Sequence, residues 1–274
     1  MISGVVAPVR EALAAATDAL TAAGVQTPRL DAELLLAEAT GRGRADLAAH
    51  PESAVEPSAA RAFGEMVRRR VRREPVAQIL GRKGFRGIVI AVDRRVLIPR
   101  PETELLVEVA LELRPRTVLE VGTGSGAVAL AVADELPRTS VVATDVSEPA
   151  LDVARGNAAR LGLTERVRFV AGSHPGGERY ELTVANLPYV SEDEWERLEP
   201  EIREYEPRDA VVAGPTGLEA IEALIPAIGS GALALEVGAG QAPAVTSMMR
   251  EAGFATIETH RDLAGIERAA VGRR

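Results

Sequence analysis

Apolar residues fall at helical spacing through the first part of the chain. Val9, Ala12, Leu13, Ala16 and Leu20 share one helical face, and Gly24 follows as a stop. Leu30, Leu34, Leu35 and Ala39 repeat the pattern ahead of Gly41, and a third helix is expected from Pro57 to about Arg73. Together these predict a small helical bundle over residues 1–74. From Val76 to Ile98 the apolar runs shorten and are broken by Gly81, Gly84, Gly87 and Asp93, which predicts a β-hairpin linker over residues 75–98. Pro99 and Pro101 bracket Arg100, and a helix starts near Glu102.

Beyond Thr117 the pattern alternates. Strands are expected at Thr117–Val121, Val141–Asp145, Val167–Val170, Leu182–Ala185 and Ala232–Val237. Helices fit at Ala127–Glu135, Pro149–Leu161, Leu218–Ile228 and Ala242–Glu251, and Thr256–His260 with Arg268–Val271 can supply a final strand pair. Such alternation predicts an α/β domain over residues 99–274, with a mostly parallel sheet covered on both faces.

Composition narrows the chemistry. Hydrophobic residues make up 46% of the 274 positions, enough to bury a sizeable core. The net charge of −8 gives no global basic footprint, so nucleic acid is disfavoured as a partner. The chain has no cysteine, which excludes disulfides, thiolate metal sites and a cysteine nucleophile. His50, His174 and His260 show no metal spacing, so no metal site is expected, although His174 falls just after the third strand of the α/β region, where a cofactor's base can lie. No run reaches the roughly 18 uninterrupted apolar residues of a membrane span, and the default location is the cytoplasm.

The strand Val118–Val121 runs into Gly122-Thr123-Gly124-Ser125-Gly126 and then a helix. Glycines at a strand-to-helix turn let backbone approach a ligand and leave helix N-terminal N–H groups to receive it. Asp145 ends the next strand, about 20 residues beyond the loop, where a carboxylate can accept hydrogen bonds from ribose hydroxyls. Gly122, Gly124 and Ala127 also satisfy the dinucleotide form of this motif, so the loop indicates a nucleoside cofactor without separating NAD from S-adenosylmethionine.

Asn186-Leu187-Pro188-Tyr189 follows the fourth strand directly, on the sheet edge that carries the glycine loop. A planar amide or arylamine nitrogen is a weak nucleophile because its lone pair is delocalised. The Asn186 oxygen and a main-chain carbonyl can accept its two N–H groups, and Tyr189 can pack on the flat group. Held in line with an electrophilic methyl, such a nitrogen needs no strong base.

The chain resembles the release-factor glutamine methyltransferases, the HemK or PrmC family. The resemblance is carried by Pro75-Val76, Gly84-Phe85, the run Leu97-Ile98-Pro99-Arg100-Pro101-Glu102-Thr103-Glu104, Leu119–Gly126, Asp145 and the tetrad. Tyr205–Ala210, Gly214, Gly217-Leu218, Leu235–Gly238, Gln241, Arg261–Gly265 and Arg268 complete it. It implies a seven-stranded Rossmann-like methyltransferase domain behind a helical domain that docks the substrate protein. It also implies S-adenosylmethionine as cofactor, with S-adenosylhomocysteine as product, and the glutamine of the Gly-Gly-Gln motif in class I peptide chain release factors as target. Gly122, Thr123, Gly124, Ser125, Gly126, Asp145, His174 and Asn186 would hold the cofactor. Asn186, Pro188 and Tyr189 would be catalytic, and Leu187 and Arg100 would join them around the substrate.

Two departures stand out. The family's tetrad is usually Asn-Pro-Pro-Tyr, and Leu187 frees a backbone N–H there; Asn-Leu-Pro-Tyr also occurs in rRNA adenine dimethyltransferases, which keeps adenine N6-methylation of RNA or DNA as the alternative. The acid usual after the third strand is replaced by Ser173. Finally, Arg68, Arg69, Arg70, Arg72 and Arg73 cluster at a helix end, either as a solvated face favoured by the helix dipole or as a docking surface.

Overall fold

The computed structural model describes residues 7–173, 179–229 and 231–274. They form two compact units, residues 1–81 and 82–274. Among the described residues no helix is long and apolar enough to cross a membrane.

The first unit is helical, with α1 (Val9–Ala22), α2 (Pro28–Thr40), α3 (Arg44–Ala49), α4 (Pro57–Val71) and α5 (Val76–Leu80). Its core gathers Leu13, Leu20, Leu35, Leu36, Leu47 and Phe63. The buried face of α2 differs from the expected one: Asp31, Ala32, Leu35 and Leu36 are inside, while Leu30 is exposed. The reason is Arg70, whose Nε donates to Asp31 Oδ2 at 2.7 Å with both side chains buried. A buried cation must be paired, so Arg70 turns Asp31 inward and sets the roll of the helix. The arginine cluster is accordingly not one face: Arg70 is core, Arg69 pairs with Glu74 and Arg68 with Glu65. The hairpin is also narrower than expected. Val76–Leu80 folds as helix because Ile79 fills the bundle core, and Gly81 at φ +69° ends it.

The second unit opens with the hairpin β1 (Arg82–Phe85) and β2 (Ile88–Ala91), then α6 (Glu104–Leu113) and β3 (Thr117–Val121). α7 (Ala127–Glu135), β4 (Ser140–Asp145), α8 (Glu148–Leu161), β5 (Val167–Ala171) and β6 (Leu182–Ala185) follow. Short elements come next: β7 (Val190–Ser191), α9 (Glu192–Trp195), α10 (Pro200–Tyr205), β8 (Val212–Gly214) and α11 (Glu219–Leu224). β9 (Ala232–Glu236), α12 (Ala242–Glu251), β10 (Thr256–Arg261) and β11 (Glu267–Arg273) complete the unit.

Seven strands form one sheet in the order β10-β11-β9-β6-β3-β4-β5. The five from β9 to β5 are parallel, and β11 enters antiparallel against β9. Strands buried on both faces read as apolar runs, which is why their sequence signal was strong. Arg86, at the hairpin turn, grips Glu135 of α7 at 2.9 Å and Glu108 of α6 at 3.2 Å. Asn157 of α8 donates to the carbonyls of Ala91 and Ser125, tying the hairpin to the loop after β3.

Candidate active site

The sheet reverses its growth direction beside β3: β4 and β5 lie on one side, β6 and β9 on the other. In open α/β sheets the crevice at such a switch, outside the strand carboxyl ends, receives ligands. Val121 pairs with Ala185 and with Thr144, and Ala185 pairs with Leu235. Four loops therefore leave the sheet at one level, beginning at Gly122, Val146, Asn186 and Val237.

A cavity of about 670 Å³ opens at this edge. Its walls include the glycine loop from Gly122 to Ser125, Asp145, Ser173, Asn186, Leu187 and Pro188. A nucleoside-sized ligand fits a volume of this order. Asp145 is oriented by two backbone donors, Gly124 N–H to Oδ2 and Ser147 N–H to Oδ1, each at 2.8 Å. A carboxylate oxygen carries more than one acceptor site, so both remain able to take a hydroxyl. Gly124 has φ +54°, and a Cβ there would meet nothing within 4 Å, which leaves an open cradle above the loop. These features fit S-adenosylmethionine, whose ribose needs paired acceptors and whose methionine portion needs close backbone.

The tetrad is held from several sides. Asn186 Nδ2 donates to Thr103 Oγ1 at 3.1 Å. Leu187 packs on the core beneath β6 and β9, and its Cδ2 lies 3.1 Å from where a Cβ on Gly122 would sit. Packing thus holds the turn in which Leu187 frees a backbone N–H. Gln241 Nε2 donates to the Tyr189 carbonyl at 2.8 Å, and a Cβ on Gly217 would come within 2.5 Å of that same oxygen. The Tyr189 hydroxyl donates to Glu236 Oε1 at 3.4 Å, and burial pushes its own pKa up to about 12.

The Arg100 guanidinium donates to Glu206 Oε1 at 2.7 Å, while Glu206 Oε2 accepts the Ile98 N–H. The pair clasps the loop before α6 to the segment after α10, and Arg100 influences the tetrad through its charge near Tyr189. Thr123 turns its hydroxyl to Glu120 Oε2 at 2.6 Å, and Ser125 is buried. Ser173 lies at the end of β5 and its carbonyl accepts the Thr144 hydroxyl. His174 lies outside the described residues.

Glu120, Thr103, Glu236 and Gln241 join the site only through the fold. Glu120 lines the cavity from inside β3, where burial raises its pKa to about 8 despite donors from Thr123 and the Ala129 N–H. A signal existed for Glu120 and Glu236: each is a single acid at the carboxyl end of an otherwise apolar strand, where burial of a charge calls for a reason.

Comparison with known proteins agrees with this geometry. A family model described as the PrmC N-terminal domain matches residues 11–81, and a methyltransferase domain model matches residues 118–205. A release factor glutamine methyltransferase of Caulobacter vibrioides is 38% identical over 274 residues, covering 96% of this chain and 95% of that protein. The protein of the same name from Bordetella pertussis is 42% identical over 259 residues, covering 89% and 94%. Among solved structures, the hMettl16 catalytic domain in complex with a MAT2A 3'UTR hairpin superposes with a TM-score of 0.52 at 16% identity, covering 80% of this chain and 82% of that one. At that identity the likeness speaks to the fold alone.

Proposed function

The chain belongs to the release factor glutamine methyltransferase family, and we propose that it transfers a methyl group from S-adenosylmethionine to the glutamine side-chain nitrogen of the Gly-Gly-Gln motif in class I release factors. The observation that carries this is the juxtaposition of Asn186 and the glycine loop in one cavity: the strands that deliver them are neighbours, paired through Val121 and Ala185. The cofactor would supply an electrophilic methyl on a sulfonium sulfur, which keeps the electron pair of the broken C–S bond and leaves as a neutral sulfide. The backbone of Gly122, Thr123, Gly124, Ser125 and Gly126 would lie close against its methionine portion, and Asp145 would take its ribose.

The remaining work falls to the tetrad. Asn186 Oδ1 accepts one N–H of the glutamine amide, which orients the nitrogen and raises its electron density. Pro188 shapes the slot and Tyr189 bounds it. Alignment of nitrogen and methyl supplies the larger part of the acceleration. The helical unit is the docking element for the release factor, supported by its separate compactness and its match to the PrmC N-terminal domain. With release factors as substrates, the enzyme works in the cytoplasm.

The test is a methyl-transfer assay with labelled S-adenosylmethionine and a class I release factor, the label located by peptide mass spectrometry. Label on the Gly-Gly-Gln glutamine, absent when that glutamine is replaced by alanine, is the expected result. Transfer to RNA or DNA instead would overturn the proposal.

A further inference from the structure

Gln241 immediately precedes α12 and is not among the residues that line the cavity. Its side chain nevertheless commits both ends of its amide to main chain. Oε1 accepts the Gly238 N–H, from the loop after β9, at 2.8 Å. Nε2 donates to the Tyr189 carbonyl at 2.8 Å and to the Gly217 carbonyl, ahead of α11, at 3.3 Å. An amide nitrogen has two protons, and both are thereby used. Main-chain donors and acceptors cannot exchange roles, so backbone groups on either side fix which way this amide points. The fit is close. A Cβ on Gly238 would lie 2.8 Å from Gln241 Oε1 and 3.2 Å from Tyr189 Cδ2, and one on Gly217 would lie 3.1 Å from Gln241 Nε2. The two glycines leave the space that the amide and the tyrosine ring fill.

Tyr189 ends the tetrad, and the peptide that follows it is held at both of its polar groups. Gln241 holds the Tyr189 carbonyl, and the Val211 carbonyl accepts the Val190 N–H at 3.1 Å. A peptide is planar, so pinning its oxygen and its nitrogen fixes the plane and with it the last backbone torsion of Tyr189. At the other end of the tetrad Asn186 donates to Thr103. We propose that Gln241 is a positioning residue for methyl transfer: by pinning the Tyr189 carbonyl it sets where the Tyr189 ring and Pro188 stand, and so the shape of the slot that receives the glutamine amide. This deepens the glutamine-methylation reading and rests on it.

The position requires an acceptor at one end of the side chain and a double donor at the other. A carboxylate of the same size keeps the bond from Gly238 but sets an oxygen against two carbonyls. The glycine loop and Asp145 are not partners of Gln241, so its effect falls on the substrate side and not on the cofactor.

The experiment compares wild type, Gln241→Glu, Gln241→Ala, Gly238→Ala and the double variant Gln241→Ala with Gly238→Ala, each as the full chain. It measures methyl transfer to a class I release factor, Tm, and the affinity and stoichiometry of S-adenosylhomocysteine binding by calorimetry. The stoichiometry counts folded sites, so kcat is expressed per cofactor-binding site. Each single variant should lower that kcat about tenfold or more, because a displacement of about 1 Å near reacting groups can cost about 100-fold. Kd for S-adenosylhomocysteine should stay within about twofold of wild type. Gly238→Ala acts by crowding Gln241, so its loss should largely vanish when added to Gln241→Ala. Gln241→Glu keeps the size of the side chain and reads the role even where the smaller alanine costs the fold. A merely structural Gln241 would lower Tm and leave turnover per site at the wild-type value. That result, a cofactor affinity that falls in step with turnover, or losses that multiply in the double variant would overturn the positioning role alone. A wild type that binds the cofactor and methylates no glutamine would overturn the function and the positioning role together.

Discussion

Asp145 holds the tip of the glycine loop, its Oδ2 accepting the Gly124 N–H at 2.8 Å. Its other oxygen accepts the Ser147 N–H, so both must be acceptors. Asp145→Asn places an NH2 group against one of those N–H groups, and a buried donor left unmatched costs about 1–3 kcal/mol. Affinity for S-adenosylhomocysteine, titrated by calorimetry, should drop about tenfold or more. Undiminished affinity would remove Asp145 from the cofactor site.

Asn186→Ala removes the acceptor proposed to orient the substrate amide. Loss of one preorganised polar group aimed at a reacting centre typically costs about 100-fold or more in kcat. Asn186 sits at the rim of the sheet, so Tm and the circular dichroism spectrum should change little. Turnover at the wild-type rate would refute the role.

Gly122 has φ +76° and faces Leu187 Cδ2, 3.1 Å from where a Cβ would lie. Gly122→Ala therefore combines left-handed backbone strain, about 1–2 kcal/mol, with a side-chain clash. Adding Leu187→Ala should recover only the clash. Thermal unfolding of the single and double variants separates the two; full recovery would mean the backbone is unstrained.

Glu120 carries a pKa raised by burial to about 8. Between its ordinary value and about 8 the folded chain holds a proton that the unfolded chain has released. Its contribution to stability is therefore complete at low pH and is lost as pH rises through that window. Glu120→Gln should gain Tm relative to wild type at alkaline pH and lose that advantage near pH 5. A pH-independent difference between the two proteins would contradict the raised pKa.

The pair Asp31 and Arg70, buried at 2.7 Å, carries a further expectation for the helical unit. Asp31→Ala removes the carboxylate partner of a buried guanidinium and should destabilise the unit by about 3–5 kcal/mol, whereas replacing both with Leu and Met should be close to neutral. Denaturant unfolding of the two variants decides; equal losses would show that the charge pair itself, not its breaking, matters.

Strand–helix alternation, the glycine loop, Asp145 and the tetrad were legible in order along the chain, because each depends on local spacing. A strand buried on both faces must be apolar, and a loop that approaches a ligand must be small, whatever surrounds them. Partnerships across the fold were not legible in this way. Arg70 reads as one of five neighbouring arginines, and only the position of Asp31, a helix away, makes it core. Val76–Leu80 has the apolar texture of a strand, and becomes helix because Ile79 is taken into the bundle. Arg100 gives no sign of its partner in the chain, and only the fold brings it to Glu206, more than a hundred positions later. Thr103 and Glu236 are unremarkable where they stand in the chain. Thr103 reaches Asn186, and Glu236 reaches Tyr189, only because the fold brings distant segments together, and hydrogen-bond partners are whichever groups the packing places within reach.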